Sequence, residues 1–170
     1  MIRTRTIGSA LAAVALTAGT LVGSATTASA VAGPTPEFHV KNVNSNKCLL
    51  VQGPDNGNPA VQYECGYWAD QKWVLDETYL ETKGTYRLKN VNSGKCLLVR
   101  GLDNGNLGEQ YECGPWADQL WQKVLTDDPD VYKLKNLNSG KCLVAQGFDN
   151  GSRVFQYDCE DYRDQLWRLV

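Results

Sequence analysis

The sequence predicts an all-β domain built from three copies of one four-stranded unit. Segment 41–49 recurs with few changes at 89–97 and 135–143, which reveals an internal repeat of 46 to 48 residues. Apolar residues in each copy mostly occur at every second position, as at Phe38 and Val40, which is typical of strands with one buried face. No stretch has helical periodicity longer than about two turns.

Turn motifs indicate where one strand ends and the next begins. Asn-Gly pairs suit tight turns that need a positive φ. In the first unit we expect strands near 37–41, 48–52, 60–64 and 71–75, with the Asn-Gly pair at 56–57 between the second and third strands. The same pattern in the other units predicts twelve short strands in all. The expected repeats cover residues of about 38–80, 86–128 and 132–170.

The N-terminal segment 1–30 has the pattern of an export signal. Its first five residues carry two arginines, and a mildly apolar run follows over 11–22. The run is shorter than the ~18 residues of a membrane span, and Ala-Ser-Ala at 28–30 is a pattern that signal peptidase accepts. We therefore expect cleavage after Ala30, an extension over 31–37, and a secreted, extracellular protein of bacterial origin.

The charge of the expected mature chain excludes several classes of partner. Removing 30 of 170 residues leaves 140, which suits one domain. The signal takes two of 17 basic residues and none of 19 acidic ones, so the net charge becomes 15 minus 19, or −4. Nucleic acid and anionic membranes are therefore not expected partners. With one histidine and no Cys-x-x-Cys pair, we expect no metal site and no cofactor.

The six cysteines are expected to form disulfides, since an exported chain with an even number usually oxidises them. Six cysteines allow 15 pairings. The repeat places two in each unit, 17 residues apart. It therefore favours three pairs: Cys48 with Cys65, Cys96 with Cys113, and Cys142 with Cys159.

Each unit also carries an Asp-Gln-x-Trp motif. We expect the tryptophans to be core anchors, because the alternating pattern around them buries one face of the strand. Their glutamines are expected to hydrogen-bond to the backbone. The residues concerned are Gln71 and Trp73, Gln119 and Trp121, and Gln165 and Trp167.

The cysteine pairs and the Gln-x-Trp motifs together resemble the ricin B-type lectin family over residues 38–170. The resemblance implies a β-trefoil, a fold of three four-stranded repeats with pseudo-threefold symmetry. It also implies a sugar pocket in each unit. The aromatic platform of that pocket, on which a pyranose can stack, falls two residues before the second cysteine, at Tyr63, Tyr111 and Tyr157.

The polar part of the pocket departs from the family pattern. The principal sugar ligand of the family is an Asp two residues after the first cysteine, and this chain has Leu50, Leu98 and Val144 there. Where the family often carries Asn, just before Gln-x-Trp, it has Asp70, Asp118 and Asp164. Each turn adds an Asp-Asn pair: Asp55 and Asn56, Asp103 and Asn104, Asp149 and Asn150. Our hypothesis is a pocket rebuilt from the turn Asp and the Asp before Gln-x-Trp, with the tyrosine as its floor.

Some residues allow two interpretations. Turn chemistry alone also explains the Asp-Asn pairs. The rings at Trp68, Trp116 and Tyr162 either cover the edge of the core or stand exposed for recognition. We expect the Lys-Asn pairs at 41–42, 89–90 and 135–136 to form solvated strand ends and turns, and His39 to have a surface or strand-end role rather than a catalytic one.

These observations favour a secreted, non-catalytic carbohydrate-binding module. Catalysis needs an asymmetric set of groups, and the acids of this chain come in equivalent threes. Three weak sites on one body suit an oligo- or polysaccharide partner, because their contacts add through effective concentration. The alternative is a β-trefoil that has lost sugar binding and recognises a protein. We expect the chain to be a monomer.

Overall fold

The computed structural model describes residues 35–76 and 84–170, and these residues form twelve strands. The predicted export signal and its cleavage site lie outside the described residues. The strands are β1 (Phe38–Asn42), β2 (Cys48–Val51), β3 (Ala60–Tyr63), β4 (Lys72–Asp76), β5 (Thr85–Asn90), β6 (Cys96–Val99), β7 (Gly108–Tyr111), β8 (Trp121–Leu125), β9 (Tyr132–Asn136), β10 (Cys142–Ala145), β11 (Val154–Tyr157) and β12 (Leu166–Leu169).

Short 3₁₀ helices precede the last strand of each unit. They span Ala69–Gln71, Ala117–Gln119 and Arg163–Gln165. The predicted strand near 71–75 therefore starts one residue later, because Gln71 ends the 3₁₀ helix. No helix in the described residues is long and apolar enough to span a membrane.

Six strands close into a barrel. β1 pairs with β4, β4 with β5, β5 with β8, β8 with β9, β9 with β12, and β12 returns to β1, all antiparallel. The closed ring leaves none of these six strands as a free edge.

The other six strands form three hairpins, β2–β3, β6–β7 and β10–β11, each joined to the barrel through its first strand. Single bridges between hairpins connect Pro59 to Glu109, Val61 to Arg153, and Leu107 to Phe155. The three hairpins therefore contact one another in a ring around the threefold axis. This architecture confirms the β-trefoil that the family resemblance implied.

The core lies inside the barrel and under the hairpins. Trp73, Trp121 and Trp167 are at most 1% exposed, one from each unit. Each indole N–H donates to a backbone carbonyl of the hairpin in its own unit, as from Trp73 Nε1 to the oxygen of Leu49 at 3.0 Å. The rings therefore bury a large apolar surface and satisfy their one donor at the same time.

Disulfides close each unit in the pairs that the repeat favours. They join Cys48 to Cys65, Cys96 to Cys113, and Cys142 to Cys159. Each bond ties the start of a hairpin to the connection that follows it. Such covalent bonds are typical of proteins that mature in an oxidising compartment, so they suggest an extracellular or secreted protein.

The prediction that the Lys-Asn pairs are solvated was wrong for the asparagines. Asn42, Asn90 and Asn136 are fully buried. The Asn90 carboxamide accepts from the backbone N–H groups of Asn92 and Ser93, and its Nδ2 donates to the oxygen of Asp70 at 2.8 Å. These amides are buried because each holds its turn to the Asp-Gln-x-Trp segment of a neighbouring unit, a contact that sequence periodicity does not report.

Candidate functional site

In the first two units one face of the hairpin carries a candidate pocket. In the first unit Leu50, Gln52 and Tyr63 lie on this face, because side chains two positions apart on a strand point the same way. The strand register places Leu50 opposite Val61 and Cys48 opposite Tyr63. The equivalent sets are Leu98, Arg100 and Tyr111, and Val144, Gln146 and Tyr157.

The connection between the second cysteine and the 3₁₀ helix forms the opposite wall. Gln71 holds this connection in place: its Oε1 accepts from the backbone N–H of Gly66 at 2.7 Å, and its Nε2 donates to the oxygen of Glu64 at 2.8 Å. Gln119 and Gln165 make the same two bonds in their own units. The expected backbone role of the three glutamines thus fixes the geometry of the wall.

A glycine lets the tryptophan lie flat against this wall. A Cβ on Gly66 would stand only 2.0 Å from the Trp68 ring, and one on Gly114 only 2.1 Å from the Trp116 ring. Both glycines are therefore required where a tryptophan follows. The third unit has Glu160 at this position, together with the smaller ring of Tyr162.

Between the hairpin face and this wall lie pockets of nearly equal size. The pocket of the first unit has a volume of about 300 Å³ and that of the second about 310 Å³. The first is lined by Leu50, Gln52, Tyr63, Trp68, Asp70 and Gln71. The second is lined by Leu98, Arg100, Tyr111, Trp116, Asp118 and Gln119. The structure thus brings the predicted tyrosine and the predicted Asp before Gln-x-Trp together in both units.

The carboxylates in this position are partly buried and incompletely paired. Asp118 and Asp164 each have one buried carboxylate oxygen, Oδ1, without a hydrogen-bond partner in the described structure. Burial raises the pKa of both groups above the usual value of 3.8. At Asp118 the nearby Arg100 charge and two backbone N–H groups offset part of that increase. These two oxygens are themselves shielded from solvent, and their burial disfavours the charged form of each carboxyl.

The turn residues Asp55 and Asn56 are not among those that line the Tyr63 pocket, and Asp103 and Asn104 are not among those that line the Tyr111 pocket. Asn56 Oδ1 instead accepts from the backbone N–H of Glu112, and Asp55 contributes its backbone oxygen to Gln110.

The same contacts recur around the axis. Asn104 bonds to Asp158, Asn150 bonds to the N–H of Glu64, and the backbone oxygen of Asp103 accepts from Gln156. Asp149, like Asp55 and Asp103, lies in a turn that faces the next unit. These turns therefore join neighbouring units, a role that the sequence of one unit could not reveal.

The three aromatic residues for which the sequence allowed two interpretations are exposed. Trp68, Trp116 and Tyr162 are 61%, 52% and 67% exposed, respectively. Since Trp68 and Trp116 also line the pockets, the structure favours the second of the two interpretations, a ring that stands available for recognition.

Sequence reasoning missed two lining positions. Leu50 and Leu98 were noted only as replacements for the family Asp, yet they form the apolar side of each pocket. Gln52 and Arg100 were not singled out. Both lie two residues beyond that leucine on the same strand face, so the alternation of side chains could have found them.

Solved structures with the same fold agree with this architecture. A designed threefold-symmetric protein, ThreeFoil, is 29% identical with a TM-score of 0.75, and the match covers 79% of this chain and 97% of that one. An exo-β-1,3-galactanase from Clostridium thermocellum is 26% identical with a TM-score of 0.75, over 81% of this chain. The hemolytic lectin CEL-III is 30% identical with a TM-score of 0.65, also over 81% of this chain. The chain spans only 30% and 31% of the galactanase and of CEL-III.

No curated protein matches the chain. The model of the ricin-type β-trefoil lectin domain-like family matches residues 27–113, 69–157 and 117–170, so the matches overlap across all three units. Membership suggests a non-catalytic domain that binds carbohydrate in general. On the strength of the repeated units and these matches, the chain belongs to the ricin-type β-trefoil lectin domain-like family.

Proposed function

We propose that this chain is a secreted, non-catalytic carbohydrate-binding module that uses the hairpin pockets of its three units. The observation that carries the proposal is the recurrence of one chemical set. A tyrosine, a second exposed ring and a carboxylate line pockets of about 300 Å³ in two units, and the third unit has the same types of residue.

The two kinds of surface in the pocket suit the two faces of a sugar. An aromatic ring such as Tyr63 can pack against the C–H face of a pyranose, and Trp68 can cover its edge. A hydroxyl that donates to an ionised carboxylate forms a charge-assisted hydrogen bond, which is stronger than a neutral one. A neutral sugar fits best, since Asp70 would repel an acidic one.

The polar anchor of this pocket lies on a different wall from that of the family. Where the family has its principal Asp on the first hairpin strand, Leu50 is 2% exposed and packs at the base of the pocket. Asp70 on the 3₁₀ connection faces the same space. Under this proposal the sugar hydroxyls turn toward the connection and the apolar edge of the sugar toward the strand.

A glycan array competed by free sugar tests the function. The first free sugar to try is β-1,3-galactobiose, because the related galactanase acts on β-1,3-galactan. Binding that free sugar abolishes supports the proposal. Failure of every glycan on the array to bind the folded protein would overturn it.

A triple variant tests the pocket. Replacing Tyr63, Tyr111 and Tyr157 together by Ala should abolish glycan binding, because it removes the stacking platforms. Tyr67→Ala is the matched control, since Tyr67 is 97% exposed and lies outside the pocket linings. Circular dichroism verifies that each variant is folded. Unchanged binding by the folded triple variant would place the sugar site elsewhere.

The second candidate is recognition of a protein. The observation that favours it is the apolar residue, Leu50, Leu98 or Val144, at the position of the family Asp in every unit. Such a pocket could take an apolar side chain of a partner. Array binding that free sugar competes away would exclude this function for the hairpin pockets.

A further inference from the structure

The second unit differs from the other two at two positions on the pocket face. Arg100 stands where the first and third units have Gln52 and Gln146. Glu109 stands where they have Val61 and Phe155. All these residues share the strand face that carries the pocket tyrosine, because they lie two positions apart along paired strands.

In the second unit these two residues form an ion pair, and its arginine lies over the ring of the pocket tyrosine. Arg100 Nε lies 2.6 Å from Glu109 Oε1. Its guanidinium carbon lies 4.8 Å from the centroid of the Tyr111 ring. The ion pair thus holds a cation against the ring in a cation–π contact.

The contact covers the surface on which a sugar would stack. Tyr63 and Tyr157 are 39% and 44% exposed, and Tyr111 is less exposed than either. The pocket itself keeps its volume, about 310 Å³ against about 300 Å³. A sugar that enters the second pocket therefore meets a guanidinium where the first pocket offers a bare ring.

We propose that Arg100 is a specificity-determining residue that weakens neutral-sugar binding in the second unit, so that the molecule works with two strong pockets rather than three. The inference rests on the proposed function. Stacking a pyranose on Tyr111 requires Arg100 to leave both the ring and Glu109. One exposed ion pair and one exposed cation–π contact together bias that equilibrium by about tenfold, and the apparent affinity falls by the same factor.

The first experiment needs no sugar. Photo-CIDNP NMR with a flavin dye reports which tyrosine rings the dye can touch. We expect strong signals from Tyr63 and Tyr157 and a weak one from Tyr111. The double variant Arg100→Gln with Glu109→Val, which copies the first unit, should raise the Tyr111 signal to their level. A Tyr111 signal in the unmodified protein as strong as that of Tyr63 would overturn the inference.

The second experiment measures binding pocket by pocket. Trp68 lines the first pocket and Trp116 the second, so their indole N–H resonances report the two sites separately. In a titration with β-1,3-galactobiose, the midpoint for Trp116 should lie about tenfold higher than that for Trp68. The double variant should bring the two midpoints within about twofold.

A reciprocal variant and a charge control complete the design. Gln52→Arg with Val61→Glu installs the same pair in the first unit and should raise the Trp68 midpoint about tenfold. Arg153→Gln removes an exposed arginine outside the pocket linings and should leave both midpoints unchanged. Equal midpoints for Trp68 and Trp116 in the unmodified protein would contradict the role of Arg100. A Trp68 resonance that does not respond would instead count against the proposed function, and the dye experiment would still decide the role of Arg100.

Discussion

At the scale of single residues, two of the carboxylates that precede Gln-x-Trp carry a cost in stability. Asp118 and Asp164 each bury an oxygen that no protein donor satisfies. An unpaired buried acceptor costs free energy, because it has lost its hydrogen bonds to water without gaining others. The raised pKa of both groups has the same cause, since burial disfavours the charged form.

Sugar binding should therefore weaken in acid. The pKa of Asp164 is raised, so in the folded protein its carboxylate takes up a proton somewhat above pH 3.8, as does that of Asp118. A protonated carboxyl is the weaker acceptor for a sugar hydroxyl. We expect the affinity for β-1,3-galactobiose, measured by calorimetry, to fall as the pH is lowered from 7 toward 4.

The stability of the protein without sugar should respond to these two groups in the opposite sense. A folded-state pKa above the unfolded value means that the folded chain binds more protons in that window, so their contribution to the free energy of unfolding rises as the pH falls through it. The variant Asp118→Asn with Asp164→Asn should be at least as stable at pH 7 and should lose part of its pH dependence of binding. An affinity that is flat down to pH 4 in the unmodified protein would exclude these carboxylates as sugar ligands.

At the scale of elements, buried amides connect each turn to a neighbouring segment. The turn after β5 begins with Asn90, whose carboxamide bonds to Asn92 and Ser93 within the turn and to Asp70 outside it. Asn42 and Asn136 hold the other units in the same way, through the backbone oxygens of Asp164 and Asp118. Hence the residues that place the pocket Asp of one unit include an amide of the next unit.

Replacing Asn90 by Ala should destabilise the fold. The change leaves the N–H groups of Asn92 and Ser93 and the oxygen of Asp70 without their partner, and the loss of such buried bonds costs about 2 kcal/mol. Urea unfolding measures the change in the free energy of unfolding. Asn92→Ala is the control, since Asn92 is exposed, and it should change that free energy by less than about 0.5 kcal/mol. Equal effects of the two substitutions would show that the buried amide has no special role.

At the scale of the whole molecule, the same stabilising contacts recur in each of the three units. The turn of each unit bonds to the next unit, so the contacts run from Asn56 to Glu112, from Asn104 to Asp158, and from Asn150 back to Glu64. Each unit also carries its own disulfide, with a sequence separation of 17 residues.

Removing one disulfide should cost about the same in each unit. In the loop-entropy model a closed loop of this length stabilises the fold by roughly 3 kcal/mol. Replacing Cys96 and Cys113 by Ser, or Cys142 and Cys159 by Ser, should therefore lower the free energy of unfolding by similar amounts in urea. Losses that differ by more than about 1 kcal/mol would show that the units do not contribute equally.

Much of the fold could be predicted because its signals are local and repeated. Alternation and Asn-Gly turns placed the strands within one or two residues of those in the structure, and the repeat indicated how the cysteines pair. Within the site, Tyr63 and Asp70 were expected to meet, and they do. The contact of Asn56 with Glu112 could not be predicted, because the two residues are 56 positions apart and lie in different units.

The sequence by itself determined the three units, their strands and the types of side chain that each pocket could use, since these follow from short-range periodicity. Only the tertiary structure decided which unit each turn contacts. It also decided that Asn42, Asn90 and Asn136 are buried and that Arg100 lies over the ring of Tyr111. The physical reason is that distant segments come together when the barrel closes and the three hairpins pack around the threefold axis. Hydrogen bonds and ion pairs between such distant segments leave no periodic pattern in the sequence, so the sequence alone does not predict them.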